Sequence, residues 1–294
     1  MSAGERRPST PVRRPDTARP RRETAEEEPS LPSHDELEGI ERHLAMLTEI
    51  GGATLDRDAE AAWEAWFVEW PRHGPAFNHA AVIRWTGQTW AERSASVAIR
   101  SREAGEIPAV IVAEGLSGPA DLSTRLRARG WVSVARETVL WTRRAGVVPH
   151  LDPTLRLEAV TPATASAYET VERRIFGLPD RDGPDRAAAL TRALDQGRVR
   201  AYLVRLRGEA VATARMSPFE GLAALQGVGV LPRHRRQGLG TLITTFATRA
   251  GLATGNSLVW LSVREGNEPG LALYQGLDYR PAFSWEMLVE PGGA

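Results

Sequence analysis

From Ser33 onward the apolar positions alternate between helical and strand periods. Leu37, Ile40, Leu44 and Leu47 recur at helical intervals behind Ser33 and Glu36, a capping-box spacing, and Gly51-Gly52 stops the helix. A second helix is predicted over about 57–70, holding Trp63, Trp66 and Trp70. A strand follows from Phe77 to Trp85, a helix near 88–104, a strand at Ala109–Ala113, a helix near 119–129 and a strand from Trp131 to Thr142. Beyond 153 the pattern gives a strand at Leu155–Val160, a helix opened by Thr161 and Pro162, and a helix over about 184–196. Strands at 199–206 and 210–216 meet at Arg207-Gly208-Glu209, a hairpin signal. A strand from Leu222 to Leu231 and a long helix over about 238–253 come next. The chain continues with strand Leu258–Val263, a helix near 268–276 and a strand pair around 279–289. Strands flanked by helices in this order predict an α+β or α/β layered fold.

Composition adjusts the picture at the ends and in the middle. Residues 1–33 hold seven Arg, six acids and six prolines, too little apolar surface to offset ordering entropy, and predict a disordered tail. Ala145–Pro153 reads as a linker, which puts one domain at 34–145, the linker at 146–154 and a second domain at 155–290. Seven of nine tryptophans fall between 63 and 141, a clustering that signals core more readily than a ligand cage.

Charge and inventory narrow the chemistry. The formal net charge of zero offers no global field for nucleic acid or membrane, and no apolar run reaches the length of a bilayer span. All 37 cationic residues are Arg, and there is no Cys. Schiff-base lysines, lysine-dependent phosphate loops, kinases, thiol nucleophiles and zinc-thiolate clusters are thereby excluded. Neither G-x-S-x-G nor H-E-x-x-H occurs, and no metal is expected. The expectation is a cytoplasmic protein, monomeric or homodimeric.

The most informative stretch is Val228-Gly-Val-Leu-Pro-Arg-His-Arg-Arg-Gln-Gly-Leu-Gly-Thr-Leu-Ile243. An apolar strand stops at Pro232, and Gly238 and Gly240 open an amphipathic helix. The free amides at a helix start attract anions, and glycines let a ligand approach the backbone. Arg233, Arg235 and Arg236 add charge suited to phosphate oxygens. Together these predict a diphosphate cradle built without lysine.

Arg235-Arg236-Gln237-Gly238-Leu239-Gly240 matches R/Q-x-x-G-x-G/A and resembles the acyl-CoA-binding motif of the GNAT superfamily of N-acyltransferases. Asn267-Glu-Pro-Gly-Leu-Ala-Leu-Tyr274-Gln-Gly-Leu-Asp-Tyr279 is similar to that family's N-x-x-A-x-x-L-Y-x-x-x-G-F segment, with strand 258–263 between the two. The resemblance covers 155–290. It implies tandem GNAT-like domains, each a mixed, mostly antiparallel central sheet flanked by helices. It further implies that backbone groups of Val228 and Val230 hold the pantetheine arm, and that amides from Arg235 to Thr241 (Arg235, Arg236, Gln237, Gly238, Leu239, Gly240, Thr241) hold the diphosphate. Asn267 would contact the cofactor near its pantetheine, and Tyr274 would protonate the departing thiolate. The implied reaction is transfer of an acetyl group from acetyl-CoA to a primary amine, of a small molecule or a protein, by direct attack. A non-catalytic acyl-CoA-binding or assembly module is the alternative.

Asp278 replaces the family's Gly before Tyr279, and Gly270 stands where Ala is usual. Strand 222–231 has no carboxylate to serve as base; Gln226 is its only polar candidate, with Glu220 and Glu265 at flanking turns. Residues 34–145 follow part of the same element order without the glycine loop, Arg102-Glu-Ala-Gly105 offering one glycine where two are needed. They read as a degenerate GNAT-like domain walling the acceptor cleft, Phe77-Asn78-His79 being either a contributor to that cleft or, more simply, a buried strand segment.

Overall fold

The computed structural model describes residues 30–50, 54–57, 66–69, 74–148, 153–180 and 183–291. The expected tail falls almost wholly outside them. Pro32–Ala294 clusters as one compact unit.

The first helix, α1 (His34–Ile50), starts as its capping spacing predicts. The Ser33 amide donates to Glu36 Oε2 at 2.8 Å and the Glu36 amide to Ser33 Oγ at 3.2 Å. Its apolar face buries Ile40 against the sheet. Where a second helix is expected the chain instead forms β1 (Thr54–Arg57) and β2 (Trp66–Glu69), paired antiparallel. The β-favouring run Trp66-Phe67-Val68 outweighs the helical spacing of the tryptophans, because a neighbouring strand, β3 (His79–Ala81), is there to pair with it. That third strand is shorter than its apolar run, for Val82 takes a positive φ of 54° and ends the ladder.

The remaining elements lie close to their predicted spans. They are α2 (Trp90–Glu103), β4 (Ala109–Ala113), α3 (Leu122–Ala128), β5 (Val132–Thr142) and β6 (Leu155–Ala159). A single 3₁₀ turn with a Thr161/Thr164 capping box leads into α4 (Ala165–Phe176) and α5 (Gly183–Asp195). Strands β7 (Arg200–Leu206) and β8 (Glu209–Phe219) form the expected hairpin, with positive φ at both Arg207 and Gly208. Then come β9 (Leu222–Val230), α6 (Leu239–Leu252), β10 (Leu258–Arg264) and α7 (Glu268–Gln275). The expected terminal strand pair is one strand, β11 (Arg280–Val289). Its irregularity between Pro281 and Phe283, next to a residue with no N–H to donate, is absorbed as a bulge.

All eleven strands join one mixed, mostly antiparallel sheet in the order β1-β2-β3-β4-β11-β5-β10-β9-β8-β7-β6. Only β3–β4 and β9–β10 are parallel. The centre is exchanged: β11, from the end of the second half, lies between β4 and β5, and β5, from the end of the first half, pairs with β10. Around that centre the two halves repeat one order, a parallel strand pair with a helix following each of its strands. Helices α6 and α7 pack on one face of the second half. On the opposite face α1 covers a core containing Trp141 and Trp260, while Trp85 and Trp131 fill a separate core beneath α2 and α3.

Candidate functional site: an open strand edge, a helix N-terminus and a half-open cavity

The site begins where two strands part. Strand β9 pairs with β10 only at Leu222, Ala223 and Ala224; beyond Ala224 its other neighbour, β8, is its sole partner, while β10 continues against β5. The gap opens beside an extra residue in β9: Thr213 faces Gly229 and Arg215 faces Gln226, so three steps on β9 match two on β8. Gly227 takes a φ of +58° in this bulge, and its carbonyl accepts from Thr213 Oγ1 at 2.9 Å. A strand edge left open in this way can hydrogen-bond an extended amide-bearing arm. Val228 and Val230 lie on it.

At the end of that edge the chain turns into α6. Gly238 is the N-cap with φ +77°, and no side chain caps the helix. The first hydrogen bond of the helix runs from the Leu242 amide to the Gly238 carbonyl at 2.9 Å, which leaves the amides of Leu239, Gly240 and Thr241 ahead of it. A Cβ at Gly238 would meet nothing within 4 Å, so this helix start faces open space. Gly240 has a different reason: its Cβ would stand 3.3 Å from Leu273 of α7, so the residue permits close helix contact. Of the flanking arginines, Arg233 pairs with Glu209, and Arg235 Nε donates to the Val230 carbonyl at 3.1 Å. Arg236 and Gln237 are exposed. Amide donors, a helix dipole and a free cation suit a diphosphate, and the open edge suits the amide arm attached to it. These residues fit an acyl-CoA.

Asn267 is the N-cap of α7, its Oδ1 accepting from the Gly270 amide at 3.1 Å. A Cβ at Gly270 would come within 2.5 Å of the Asn267 side chain, which explains glycine where Ala is the family habit. Tyr274 packs against Tyr279, the rings 5.9 Å apart and T-shaped. Burial pushes the Tyr274 hydroxyl up to about 12, and pushes up Tyr279, which is bonded to Thr248 Oγ1 at 2.6 Å. Asp278 takes the left-handed φ of +61° that glycine would supply.

On the opposite face of the sheet from α6 and α7, a cavity of about 640 Å³ is lined from both halves, with Gln226 of β9 in its wall. It contains the carboxylates that sequence reasoning missed. Glu172 of α4 is only 4% exposed. It accepts from Tyr168 Oη at 3.3 Å, Arg215 Nη1 at 3.2 Å and Arg186 Nη2 at 2.8 Å. A Cβ at Gly227 would stand 2.6 Å from its Oε1, so the bulge is shaped around it. Glu169, one turn earlier, pairs with Arg173. Glu137 of β5 accepts from Ser262 Oγ of β10, which also accepts from Trp285 Nε1 at 3.1 Å. Burial raises Glu137 above the ordinary carboxylate range, opposed by the Ser262 hydrogen bond and the Arg264 charge. On sequence alone Glu169 and Glu172 look like a solvated helix face, and Glu137 sits outside the half that carries the motifs.

The acids weighed from the sequence lie elsewhere. Glu220 pairs with Arg42 at 2.8 Å in the turn at the opposite end of β9 from the gap, and Glu265 is exposed after β10. Gln226 Oε1 accepts from Arg215 Nε at 3.2 Å. In the first half the counterpart of α6 is α2, so the helix start to compare is Thr86–Thr89; Arg102–Gly105 lies at its other end. There the amides of Thr86, Gln88 and Thr89 are taken by threonine hydroxyls. The gap beyond β3 is bridged by the Gly118 amide bonding to the Ile83 carbonyl at 3.0 Å, and Arg84 crosses it to Glu41. The Trp90 amide bonds to the Thr86 carbonyl at 3.1 Å, so the approach to α2 is a turn bonded within itself and without glycine at the N-cap.

A sheet parted at one parallel strand pair, with a glycine-opened helix behind the gap, defines the GNAT fold. Residues 166–279 match the family model described as acetyltransferase (GNAT) family, and this segment is a GNAT acetyltransferase domain. The chain is similar to a GCN5-related N-acetyltransferase from Kribbella flavida, with 21% identity and a TM-score of 0.66 over 87% of this chain and 97% of that one. A similar protein from Sphaerobacter thermophilus has 18% identity and a TM-score of 0.58, covering 90% and 96%. A tandem GNAT protein from the clavulanic acid biosynthesis pathway has 18% identity and a TM-score of 0.57, covering 78% and 79%. Comparison with curated protein sequences gives no match. The family match supports an acyltransferase that draws on an acyl-CoA. Among the described residues no helix is long and apolar enough to cross a membrane, and no group of His, Asp and Glu is arranged to hold a metal.

Proposed function

We propose that this chain is an acetyl-CoA-dependent N-acetyltransferase acting on a primary amine of a small molecule. The observation that carries the reading is the meeting of the open β9 edge with the cavity at Gln226, which brings a donor arm and a half-open acceptor space to one point. A volume of about 640 Å³ suits a small molecule. In this reading Val228 and Val230 hold the pantetheine arm, the amides from Arg235 to Thr241 hold the diphosphate, and Asn267 borders the arm. An N–H of the open edge polarises the thioester carbonyl. Tyr274, kept protonated by burial, donates to the leaving thiolate. The domains at 34–145 and 155–290 act as one catalytic unit with a single donor site.

The cradle is tested by Gly238→Val. The φ of +77° and the added bulk should abolish the melting-temperature rise that CoA gives the parent protein. Equal protection of parent and variant by CoA would overturn the assignment. Free-thiol release from acetyl-CoA with a panel of primary amines tests turnover, and CoA binding without release on any amine would favour a binding module.

A further inference from the structure

The cavity presents two kinds of carboxylate, and they are equipped for different work. Glu172 has both oxygens committed, to Arg215 and Arg186 and to a tyrosine hydroxyl, so its acceptor positions are already taken up within the protein. Around Glu169, Arg173 and Arg186 stand 3.3 and 3.7 Å from its Oε1, which accepts no hydrogen bond among the described residues. Glu137 differs. Among the described residues its hydrogen-bond partner is the neutral Ser262 hydroxyl, and the cation acting on it is Arg264, directly across the β5–β10 ladder and exposed at the strand end. His79, also in the wall, gives its Nδ1 to the Pro75 carbonyl and is pushed down by burial to about 4, so it is neutral at physiological pH. Asp185 and Arg192 stand exposed on α5 at the cavity's edge.

Position matters as much as charge. Ser262 lies on β10 two residues past Trp260, the last residue paired with β9, and so stands where the gap opens. Glu137 reaches that point from β5, the strand contributed by the first half. Beyond it the wall is apolar, formed by Ala135, Ile111, Trp285, Met287, Leu44 and Leu47. Of the lining guanidiniums, Arg186 and Arg215 are already occupied by Glu172, while Arg264 stands across the ladder from Glu137 and Arg192 lies exposed at the cavity's edge.

We propose that Glu137 receives the ammonium group of an amine carried on an apolar, uncharged body and acts as the base that prepares it for attack. The inference rests on the acetyltransfer reading. One proton passes from the ammonium to Glu137, and the amine nitrogen bonds to the thioester carbon. The C–S bond breaks, the thiolate takes the Tyr274 proton, and the remaining excess N–H proton restores Tyr274 through solvent. Glu137 returns its own proton to solvent, so the products are an amide, a free thiol and one released proton.

The test compares the parent, Glu137→Gln and Glu137→Asp, using acetyl-CoA with 2-phenylethylamine or glycine as probes. Calorimetry on the CoA-saturated protein should show 2-phenylethylamine binding at least tenfold more weakly to Glu137→Gln, and glycine binding poorly to all three. Thiol release with 2-phenylethylamine should fall about a hundredfold in kcat/KM for Glu137→Gln, with part restored by Glu137→Asp, and the acid limb of the pH profile should vanish in the Gln variant. An unchanged melting-temperature rise with CoA shows that the variants fold and keep the donor site. Thiol release with an unaltered pH profile in Glu137→Gln would overturn the role of Glu137 and leave acetyltransfer standing, and a preference for glycine would overturn the apolar acceptor. Glu137-dependent amine binding with no thiol release from the parent would uphold recognition by Glu137 and overturn the acetyltransfer reading instead.

Discussion

Tyr274 shows what one buried hydroxyl can contribute. With its pKa pushed up to about 12, it keeps its proton at any pH at which the fold is used, which suits a donor and rules out a base. Replacing it with Phe should slow turnover about a hundredfold while the thermal protection by CoA persists; equal rates across pH would remove the role. His43 is the structural counterpart. Trp260 Nε1 donates to its Nδ1 at 3.2 Å, so its Nε2 carries the proton toward Ser217 Oγ at 3.1 Å. Burial holds His43 at about 3 and His79 at about 4, both below the ordinary 6.5. The unfolded chain therefore binds more protons as pH falls below 6.5, and stability present above that value is lost down to about pH 3 to 4. Urea midpoints measured from pH 7 to 4 should fall, and His43→Gln should flatten the decline. The places of Gly238 at a helix start and of Tyr274 on α7 were legible from spacing along the chain. Glu137 and Glu172 were not, since a carboxylate's task depends on which guanidiniums folding brings to it.

Among elements, the contact of α4 with the β9 bulge decides the geometry of the site. A Cβ at Gly229 would meet Ile175 Cγ2 at 2.4 Å and Phe176 Cζ at 3.2 Å, so this helix can lie where it does only over a bare backbone. Gly229→Ala should destabilise the protein by about 1–3 kcal/mol through overpacking, read as a lowered urea midpoint with unchanged slope. A midpoint equal to the parent's would mean that α4 moves freely. Strands and helices with a clean period, such as β4 and α6, could be read directly from the chain. The bulge could not, because an extra residue in β9 is visible only against its partner β8. The stretch over 57–70 misled for a related reason: the segment Trp66–Glu69 within it was recruited by a neighbouring strand.

At the scale of the molecule, the two sequence halves do not coincide with two halves of the sheet. Neither 30–148 nor 153–294, expressed separately, should fold alone, for the first would lack β11 between β4 and β5 and the second would lack β5 beside β10. Co-expressed, they should copurify through a tag on either one; a monomeric, cooperatively melting fragment would refute this. A likeness of the two halves was legible in the chain, the last strand of each being approached through Gly130-Trp131 or Asp278-Tyr279. The exchange was not, since linear order carries no record of which strand lies beside which.

That exchange also sets a schedule for birth of the protein on the ribosome. β5 leaves the peptidyl-transferase centre about 140 residues before β11, which at ordinary elongation rates is a wait of about 7–30 s. Throughout that interval the edges of β4 and β5 stand uncovered in the growing chain, and the last strand made is the one that closes the middle of the sheet. Translation arrested anywhere before residue 280 would release a product with an unfilled centre, an open invitation to proteases and to strand-hungry neighbours.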